Sequence, residues 1–140
     1  MKILYRAEAT AIGGREGSAA TADGSFRIGF ATPKDLGGDG RPGNNPEQLF
    51  AAGYAACFLD AIKRAAVQAR TYIAGDSNVT VTVGLMESEG AEGVGLTISI
   101  AVDLPGTDDD LAKALMLEAH ATCPYSRATQ GNVPVRLQLA

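Results

Sequence analysis

The sequence predicts an α+β fold, with antiparallel sheets packed around one long central helix. Three observations lead to this class. Several stretches alternate apolar and polar residues with the period of a strand, one long uncharged stretch has the composition of a buried helix, and glycine-rich or proline-containing turns separate them. The predicted order is β-β-β-α-β-β-α-α-β over a single domain, residues 1–140.

The first third of the chain predicts a small antiparallel sheet. Its strand candidates are residues 2–11, 18–22 and 26–31. A glycine-rich turn that contains Arg15 joins the first two, and Asp23-Gly24 is a hairpin signal between the others. Residues 32–45 hold four glycines and two prolines and form a loop, and loops of this length are often functional.

The long helix starts after Asn45, whose side chain can accept from the free amides of the first turn. Pro46 stands at the first helical position, where no amide is needed, and Glu47 and Gln48 add a negative charge and a capping-box partner. The uncharged run at 49–59 is too short to cross a bilayer and is expected in a core. The helix is predicted to end near Arg70, with polar residues and Gly75 terminating it.

The second half predicts another hairpin, two helices and a last strand. Residues 79–86 and 94–104 alternate as strands around the turn at 89–93. Thr107 and Asp110 form a capping-box pattern for a helix from about Asp108 to Thr122. Cys123-Pro124 then begins a short helix, and a strand follows from residue 132.

Composition excludes several functional classes. The formal net charge is −4 and no run of lysine or arginine is present, which argues against a nucleic-acid partner. The N-terminus lacks an apolar signal core, so cytoplasmic residence and no membrane association are expected. A zinc site would need Cys57, Cys123 and His120 together with a carboxylate, at a spacing unlike that of zinc sites. No metal or cofactor is therefore predicted.

Three residues are candidates for chemistry, and Cys57 and Arg15 each have a plainer interpretation. Cys57 lies in the apolar helix, where a free cysteine usually packs as a small hydrophobe. Cys123 stands at a helix start, where free amides and the helix dipole lower a thiol pKa. Arg15 would favour a thiolate if it lay beside one, or it is simply solvated. His120 has no evident polar partner and is interpreted as structural, and Asp60 is expected on another helix face than Cys57.

Glu47 places a constraint on any shared site. It precedes Cys57 by ten residues, so on one continuous helix their Cα atoms are about 15 Å apart. If both residues serve one small site, either the helix breaks, for instance at Gly53, or Glu47 comes from a second subunit. The second alternative predicts a homodimer.

Five blocks of sequence together resemble the organic hydroperoxide resistance proteins, which belong to a wider family that includes the osmotically inducible peroxidases. The blocks are LYRAEATAIGGREG, TPKDLGG, NNPEQLFAAGYAACF, VDLPG and CPYSRATQGN. They span nearly the whole chain in the expected order, and the last two favour the hydroperoxide-resistance branch. Arg127 and Gln130 depart slightly from the family pattern, and neither is assigned chemistry.

The resemblance implies a thiol peroxidase that reduces organic hydroperoxides. Cys57 matches the peroxidatic cysteine and Cys123 the resolving one, while Arg15 and Glu47 match the charged pair that activates the first thiol. An intertwined homodimer and reduction by dihydrolipoyl groups, on lipoylated proteins or dihydrolipoamide, are likewise implied. Apolar side chains of the helix would favour organic substrates or belong to the core, and these are Phe50, Tyr54 and Phe58.

One alternative function belongs to a different class. A non-catalytic module at a dimer interface would bind a small apolar ligand in a pocket lined by the same helix. Such a module would have no need of Cys123 or Arg15. The presence of both residues beside Cys57 in the family pattern favours the peroxidase.

Overall fold

The computed structural model describes residues 1–87, 89–90 and 93–140. In these ranges the order of elements confirms the predicted one and the α+β class. The elements are β1 (Ala9–Ile12), β2 (Ser18–Thr21), β3 (Arg27–Gly29), α1 (Pro46–Gln68), β4 (Asn78–Glu87), β5 (Val94–Asp103), α2 (Asp109–Thr122), α3 (Pro124–Thr129) and β6 (Val135–Leu139). No helix of the described ranges is both long and apolar enough to cross a membrane.

The chain forms two compact units, here called unit 1 (Met1–Leu49) and unit 2 (Phe50–Ala140). Unit 1 contains the first sheet, the long loop and the first turn of α1. Unit 2 contains the rest of α1, the second sheet and the two shorter helices. The expectation of a single domain over residues 1–140 stays a prediction.

The sheet of unit 1 is antiparallel in the order β1-β2-β3, as predicted. The predicted first strand was too long, because β1 begins only at Ala9. Residues Ile3, Leu4 and Tyr5 are exposed at 62%, 89% and 82%. An alternating pattern gives a strand one apolar side, but the backbone of a strand also needs a neighbouring strand as its hydrogen-bond partner. Of the N-terminal segment, strand β2 pairs only with residues 9–12.

The sheet of unit 2 has the order β4-β5-β6 and is mixed. Strands β4 and β5 pair antiparallel from Asn78 with Asp103 to Glu87 with Val94, which confirms the hairpin. Its predicted turn at 89–93 lies partly outside the described residues. Strand β6 pairs parallel to β5, so the prediction of purely antiparallel sheets was wrong here. Two helices between these strands form a crossover that returns the chain in the same direction.

The core of unit 2 joins one face of α1 to β5 and α2. On α1 this face includes Tyr54, Phe58 and Ile62, none of which is exposed. Ile100 and Val102 of β5 and Leu115 of α2 are packed with other buried residues in the same hydrophobic cluster. Within the uncharged stretch at 49–59, Tyr54 and Phe58 lie in the core as expected, whereas Ala52 and Ala56 are exposed, so the stretch buries one face only.

Helix α1 begins as predicted and ends differently. The side chain of Asn45 accepts from the amide of Gln48 at 3.0 Å, and the amide of Asn45 donates to the Gln48 side chain at 3.0 Å, a reciprocal capping box. The helix ends at Gln68, and Gly75 takes no part. Arg70 instead adopts a left-handed conformation with φ 58°. The amides of Arg70 and Thr71 then reach back to carbonyl oxygens of the last turn, a glycine-type ending without glycine.

Helix α2 is capped by a different residue than expected. Asp108, not Thr107, accepts from the amide of Leu111 at 3.0 Å. The chain reaches Thr107 in a turn, where its amide donates to the carbonyl oxygen of Leu104. An aspartate is at least as good an N-cap as threonine, so Thr107 and Asp108 were both suitable N-cap residues for α2. The helix ends at Thr122, before Cys123-Pro124, as predicted.

Candidate functional site in two pairs of side chains

Arg15 is presented by a tight turn of unit 1 that requires glycine. It is the central residue of a 3-10 turn, Gly14–Glu16. Gly13 precedes it with φ 78°, and a Cβ on Gly17 would lie 1.7 Å from the carbonyl oxygen of Ile12. Because a side chain at Gly17 would collide with the backbone, the glycine-rich sequence is needed to close the turn.

The guanidinium of Arg15 binds the Glu47 carboxylate with two hydrogen bonds. Its Nη1 donates to Oε2 at 2.8 Å and its Nη2 to Oε1 at 2.6 Å. The side chains are 38% and 17% exposed, so the pair is only partly removed from water. The hydrogen bond from Arg15 holds the pKa of Glu47 below its usual range, and the same bond raises the pKa of Arg15. Glu47 is therefore ionised near neutral pH and fixes the guanidinium in one orientation.

A second ion pair fastens the same turn to the long loop. The Glu16 carboxylate accepts from the Arg41 guanidinium and from the Thr32 hydroxyl, and Arg41 also donates to the Glu16 carbonyl oxygen at 3.3 Å. Arg41 and Thr32 lie at opposite ends of the loop at 32–45. The predicted functional loop thus contributes contacts that hold the turn of Arg15.

Unit 2 brings the two cysteines together. The Cys123 thiol donates to the Cys57 sulfur with 3.6 Å between the Sγ atoms, and both thiols are free. Cys123 is fully buried, whereas Cys57 is partly exposed. Cys57 lies in α1, and Cys123 is the single residue between α2 and α3. Residues 66 positions apart therefore form one thiol pair, of which only one member is open to a small reactant.

The environment of Cys57 within unit 2 opposes ionisation. Burial raises the pKa of the Cys57 thiol, and the neighbouring Cys123 raises it further. The backbone amide of Tyr125 and the charge of Arg64 act in the opposite direction. Free amides at the start of α3 were expected to serve Cys123, but the Cys123 side chain makes no capping hydrogen bond, and it is Cys57 that gains from the Tyr125 amide.

Asp60 is paired away from the thiols. Its carboxylate lies 3.4 Å from the Nε of Arg64, one helical turn further along α1, and both side chains are more than half exposed. Asp60 is not among the groups that shift the pKa of Cys57. On this face of α1, the charge that lowers the pKa of Cys57 is therefore that of Arg64.

The three candidate substrate-binding aromatics occupy different surroundings. Tyr54 and Phe58 are fully buried in the core, while Phe50 is partly buried. Phe50 lies edge-on to Tyr125, with ring centroids 6.3 Å apart, beside an open cavity of about 500 Å³. The cavity is lined by Phe50, Leu96, Pro124, Tyr125, Ala128, Thr129, Asn132 and Val133. Substrate binding by any of the three stays a prediction.

His120 has a polar partner that the sequence did not reveal. Its Nδ1 lies 2.9 Å from the Ser126 hydroxyl, and that hydroxyl lies 2.7 Å from the Tyr54 hydroxyl. Burial lowers the pKa of His120, so the ring is neutral at neutral pH. The three residues come from three helices, so no local pattern in the sequence reveals this contact.

The Arg15–Glu47 pair lies in unit 1 and the thiol pair lies in unit 2. Helix α1 contains one member of each pair, Glu47 and Cys57. The helix runs without interruption through Gly53, so the predicted break is absent. Gly53 instead faces Tyr125, whose hydroxyl would lie 3.1 Å from a Cβ at that position. If Glu47 and Cys57 serve one small site, the unbroken helix removes the first alternative, and the contribution of a second subunit stays a prediction.

Comparison with known proteins identifies the class. A model of the OsmC-like protein family matches residues 37–138, and the chain belongs to this family. It is 45% identical over 139 residues to the organic hydroperoxide resistance protein of Xanthomonas axonopodis pv. citri (strain 306), a match covering 99% of this chain and 96% of that protein. This relative confirms the resemblance carried by the five sequence blocks.

Solved structures agree with the fold. The organic hydroperoxide resistance protein OhrB of Bacillus subtilis matches with a TM-score of 0.90 and 40% identity, over 99% of this chain and 100% of that one. An organic hydroperoxide resistance protein from Legionella pneumophila matches with a TM-score of 0.92 and 41% identity, over 99% of both chains. The α+β arrangement of two small sheets and three helices is thus the fold of these relatives.

Proposed function

We propose that the protein is a cysteine-based peroxidase that reduces organic hydroperoxides to alcohols. One observation carries the proposal: a partly exposed thiol and a buried thiol lie 3.6 Å apart, in a chain whose relatives are named for organic hydroperoxide resistance. A peroxidatic thiol must be open to its oxidant, and its resolving partner must be near and protected. Cys57 and Cys123 fit these two roles in that order.

The first step is a nucleophilic displacement by the Cys57 thiolate. Its sulfur attacks the distal oxygen of the hydroperoxide, an S–O bond forms, and the O–O bond breaks. The alkoxide takes up a proton and leaves as the alcohol, and Cys57 becomes a sulfenic acid. The sulfur is oxidised by two electrons and the peroxide is reduced by two.

The second step protects the oxidised sulfur. The Cys123 sulfur attacks the sulfur of the sulfenic acid, a disulfide forms, and hydroxide leaves and combines with the thiol proton as water. Formation of the disulfide competes with a second hydroperoxide, which would drive Cys57 to the irreversible sulfinic acid. A buried thiol already in contact with Cys57 gives the disulfide the advantage.

Arg15, held by Glu47, would add a cation that favours the Cys57 thiolate. Burial and Cys123 raise the pKa of Cys57, so a cation is needed to favour the thiolate. The Arg15 guanidinium would provide it and would also stabilise the departing alkoxide. Glu47 orients the guanidinium through two hydrogen bonds and does not titrate. The pair acts on Cys57 of a second subunit in an intertwined homodimer.

Substrate preference and recycling complete the proposal. Apolar side chains near the thiols, with Phe50, Tyr54 and Phe58 as candidates, favour organic hydroperoxides over hydrogen peroxide. A dihydrolipoyl dithiol, on a lipoylated protein or as dihydrolipoamide, reduces the disulfide by thiol–disulfide exchange. This reductant rests on the family resemblance, and we also propose a cytoplasmic location.

Titration of the reduced protein with an alkyl hydroperoxide tests the reaction. One equivalent should consume both thiols and yield a Cys57–Cys123 disulfide, visible by mass after alkylation. Cys57→Ser should lose turnover, while Cys123→Ser should react once and then stop or over-oxidise. Survival of both thiols in the wild-type protein would leave the alternative, a non-catalytic module that binds a small apolar ligand at a dimer interface.

Subunit complementation tests the dimer. Cys57→Ser is expected to be inactive and Arg15→Ala to keep about one hundredth of the wild-type activity, and co-expression of the two chains should form heterodimers with one intact site. If the charged pair acts on the partner's thiol, about a quarter of the wild-type sites should be restored for random pairing in a two-fold dimer. If it acts within its own chain, the mixture is no more active than Arg15→Ala.

A further inference from the structure

A buried chain of polar side chains joins the three helices of unit 2. The Ser126 hydroxyl of α3 lies 2.7 Å from the Tyr54 hydroxyl of α1 and 2.9 Å from Nδ1 of His120 in α2. Thr129 extends it, with its hydroxyl 3.5 Å from that of Tyr54 and donating to the Ser126 carbonyl oxygen at 3.0 Å. Tyr54 is not exposed and Ser126 is only 1% exposed.

The residues of this hydrogen-bonded group are close in sequence to the two cysteines. Tyr54 precedes Cys57 by three residues on α1, and Ser126 follows Cys123 by three residues at α3. His120 precedes Cys123 by three residues on α2. Residues three apart on a helix lie on the same side. The polar contacts therefore join the same helices whose ends hold the thiol pair.

Buried polar groups are costly unless they are satisfied, and these are satisfied by one another. With the neutral His120 ring protonated at Nε2, Nδ1 accepts from the Ser126 hydroxyl, which in turn accepts from the Tyr54 hydroxyl; with Nδ1 protonated, the ring donates to Ser126 and the order of donors is reversed. Each hydroxyl then donates once, and Thr129 uses its own proton on the Ser126 carbonyl oxygen. An apolar side chain at Ser126 would remove both contacts at once and leave Tyr54 and His120 without this partner.

We propose that Ser126 is a positioning residue of the redox reaction, holding α3 against α1 and α2 so that the Cys123 thiol faces the Cys57 sulfur. The proposal rests on the proposed function and deepens it by assigning control of the resolving step. Tyr54 and His120 act through Ser126, and none of the three touches the reacting atoms in this role.

The geometry of the resolving step explains why position matters. A disulfide is about 2.05 Å long, so sulfurs at 3.6 Å must approach by about 1.5 Å. Rotation of the two side chains can cover this distance if the helices stay in place. The Cys123 residue and the Tyr125 amide that acts on Cys57 both stand at the start of α3, directly before Ser126. Movement of α3 would therefore disturb the nucleophile and its target together.

The first test measures the thiol pair without any hydroperoxide. The equilibrium between dithiol and disulfide in glutathione buffers gives the effective concentration of one thiol at the other. Ser126→Ala should lower it about 25-fold and Tyr54→Phe about fivefold, as expected for loss of two hydrogen bonds and of one. Ser126→Thr, which keeps the hydroxyl, should restore most of the loss. Ser99→Ala on β5 is the matched control and should leave the equilibrium unchanged.

The second test follows the two oxidation steps separately. Tyr54→Phe and Ser126→Ala should each slow formation of the disulfide more than they slow formation of the Cys57 sulfenic acid. Mass spectrometry should then detect sulfinic acid at lower hydroperoxide concentrations than in the wild type. Tyr54→Phe removes a single oxygen atom, and it serves as the folded variant if Ser126→Ala does not fold.

The outcomes separate the two proposals. If wild-type protein forms no disulfide with hydroperoxide, the proposed function fails, whatever the glutathione equilibrium shows. If the wild type forms the disulfide but Tyr54→Phe and Ser126→Ala match it in both the glutathione equilibrium and sensitivity to over-oxidation, the positioning role of Ser126 is overturned. A lower effective concentration restored by Ser126→Thr supports the role.

Discussion

The two units keep different chemistry in different surroundings. Unit 1 holds the Arg15–Glu47 ion pair, and the guanidinium is 38% exposed. Unit 2 holds the thiol pair beside a core cluster whose members all belong to residues 50–140. The desolvation cost of an ion pair is lowest where water still reaches it, whereas a resolving thiol is protected by burial in a rigid core. The charged pair and the thiol pair therefore lie in separate units.

The largest difference between the units should be in the stability lost when a phenylalanine side chain is removed. Phe58 is fully buried in unit 2, and Phe58→Ala should lower the free energy of unfolding by about 3–5 kcal/mol. Phe26 of unit 1 is 43% exposed, and Phe26→Ala should cost much less. Urea unfolding of the reduced proteins at one fixed protein concentration checks both. Equal losses would contradict the assignment of the core to unit 2.

Loss of the guanidinium should give the next largest effect, this time on activity. Arg15→Ala should lower kcat/KM for an alkyl hydroperoxide about 100-fold, because the thiolate and the departing alkoxide lose a positioned cation. The rate of Cys57 alkylation by iodoacetamide should also shift to higher pH, since burial and Cys123 then act unopposed by Arg15. Steady-state kinetics and the pH profile of alkylation measure the two effects.

Two variants sharpen the test of Arg15. Arg15→Lys keeps the charge but not the two-bond geometry with Glu47, and activity between the wild type and Arg15→Ala is expected. Arg27→Ala removes an exposed arginine of β3 in the same unit and should stay within threefold of the wild type. An equal loss in Arg27→Ala would mean that the general charge of unit 1, rather than Arg15, governs the rate.

A smaller, pH-dependent effect is expected from Glu47. Its pKa in the folded protein is lowered by Arg15, so its stabilising contribution is present above the unfolded value of about 4.3 and is lost as the pH falls through the folded value. Glu47→Gln should cost about 0.5–1 kcal/mol at pH 7, a figure reduced for solvent screening at the exposed guanidinium, and almost nothing at pH 3.

Urea unfolding of wild type and Glu47→Gln at pH 7 and pH 3 measures this difference. Glu118→Gln, an exposed change on α2 in unit 2, is the control and should show no comparable dependence on pH. A gap between wild type and Glu47→Gln that widens on acidification would reverse the expected sign and argue that the pair destabilises unit 1.

Local features were predictable from the sequence, and contacts between distant segments were not. The Asn45 cap and the end of α2 before Pro124 depend on neighbouring residues, so their patterns sufficed. The parallel pairing of β6 depends on the path of two helices. The Ser126 contacts depend on three helices meeting, which no local spacing encodes. The roles of Cys57 and Cys123 came from resemblance, because the residue type and apolar surroundings of Cys57 alone favoured an inert cysteine.

The smallest expected effect concerns the two ends of α1, one in each unit. The start in unit 1 has a reciprocal capping box, whereas the end in unit 2 places Arg70 at φ 58°. A left-handed conformation costs a residue with a side chain about 1–2 kcal/mol, and glycine avoids it. Arg70→Gly should therefore raise the free energy of unfolding by about 0.5–1 kcal/mol, because the greater freedom of glycine in the unfolded chain offsets part of the gain.

Gln68→Gly is the matched control, since it places the same residue two positions earlier, inside the last turn. There the backbone is helical, and glycine should cost about 1 kcal/mol. Opposite signs for the two substitutions in urea unfolding would show that the gain comes from the left-handed position and not from glycine in general. A loss in Arg70→Gly would mean that the arginine side chain contributes more to the end of α1 than its backbone strain costs.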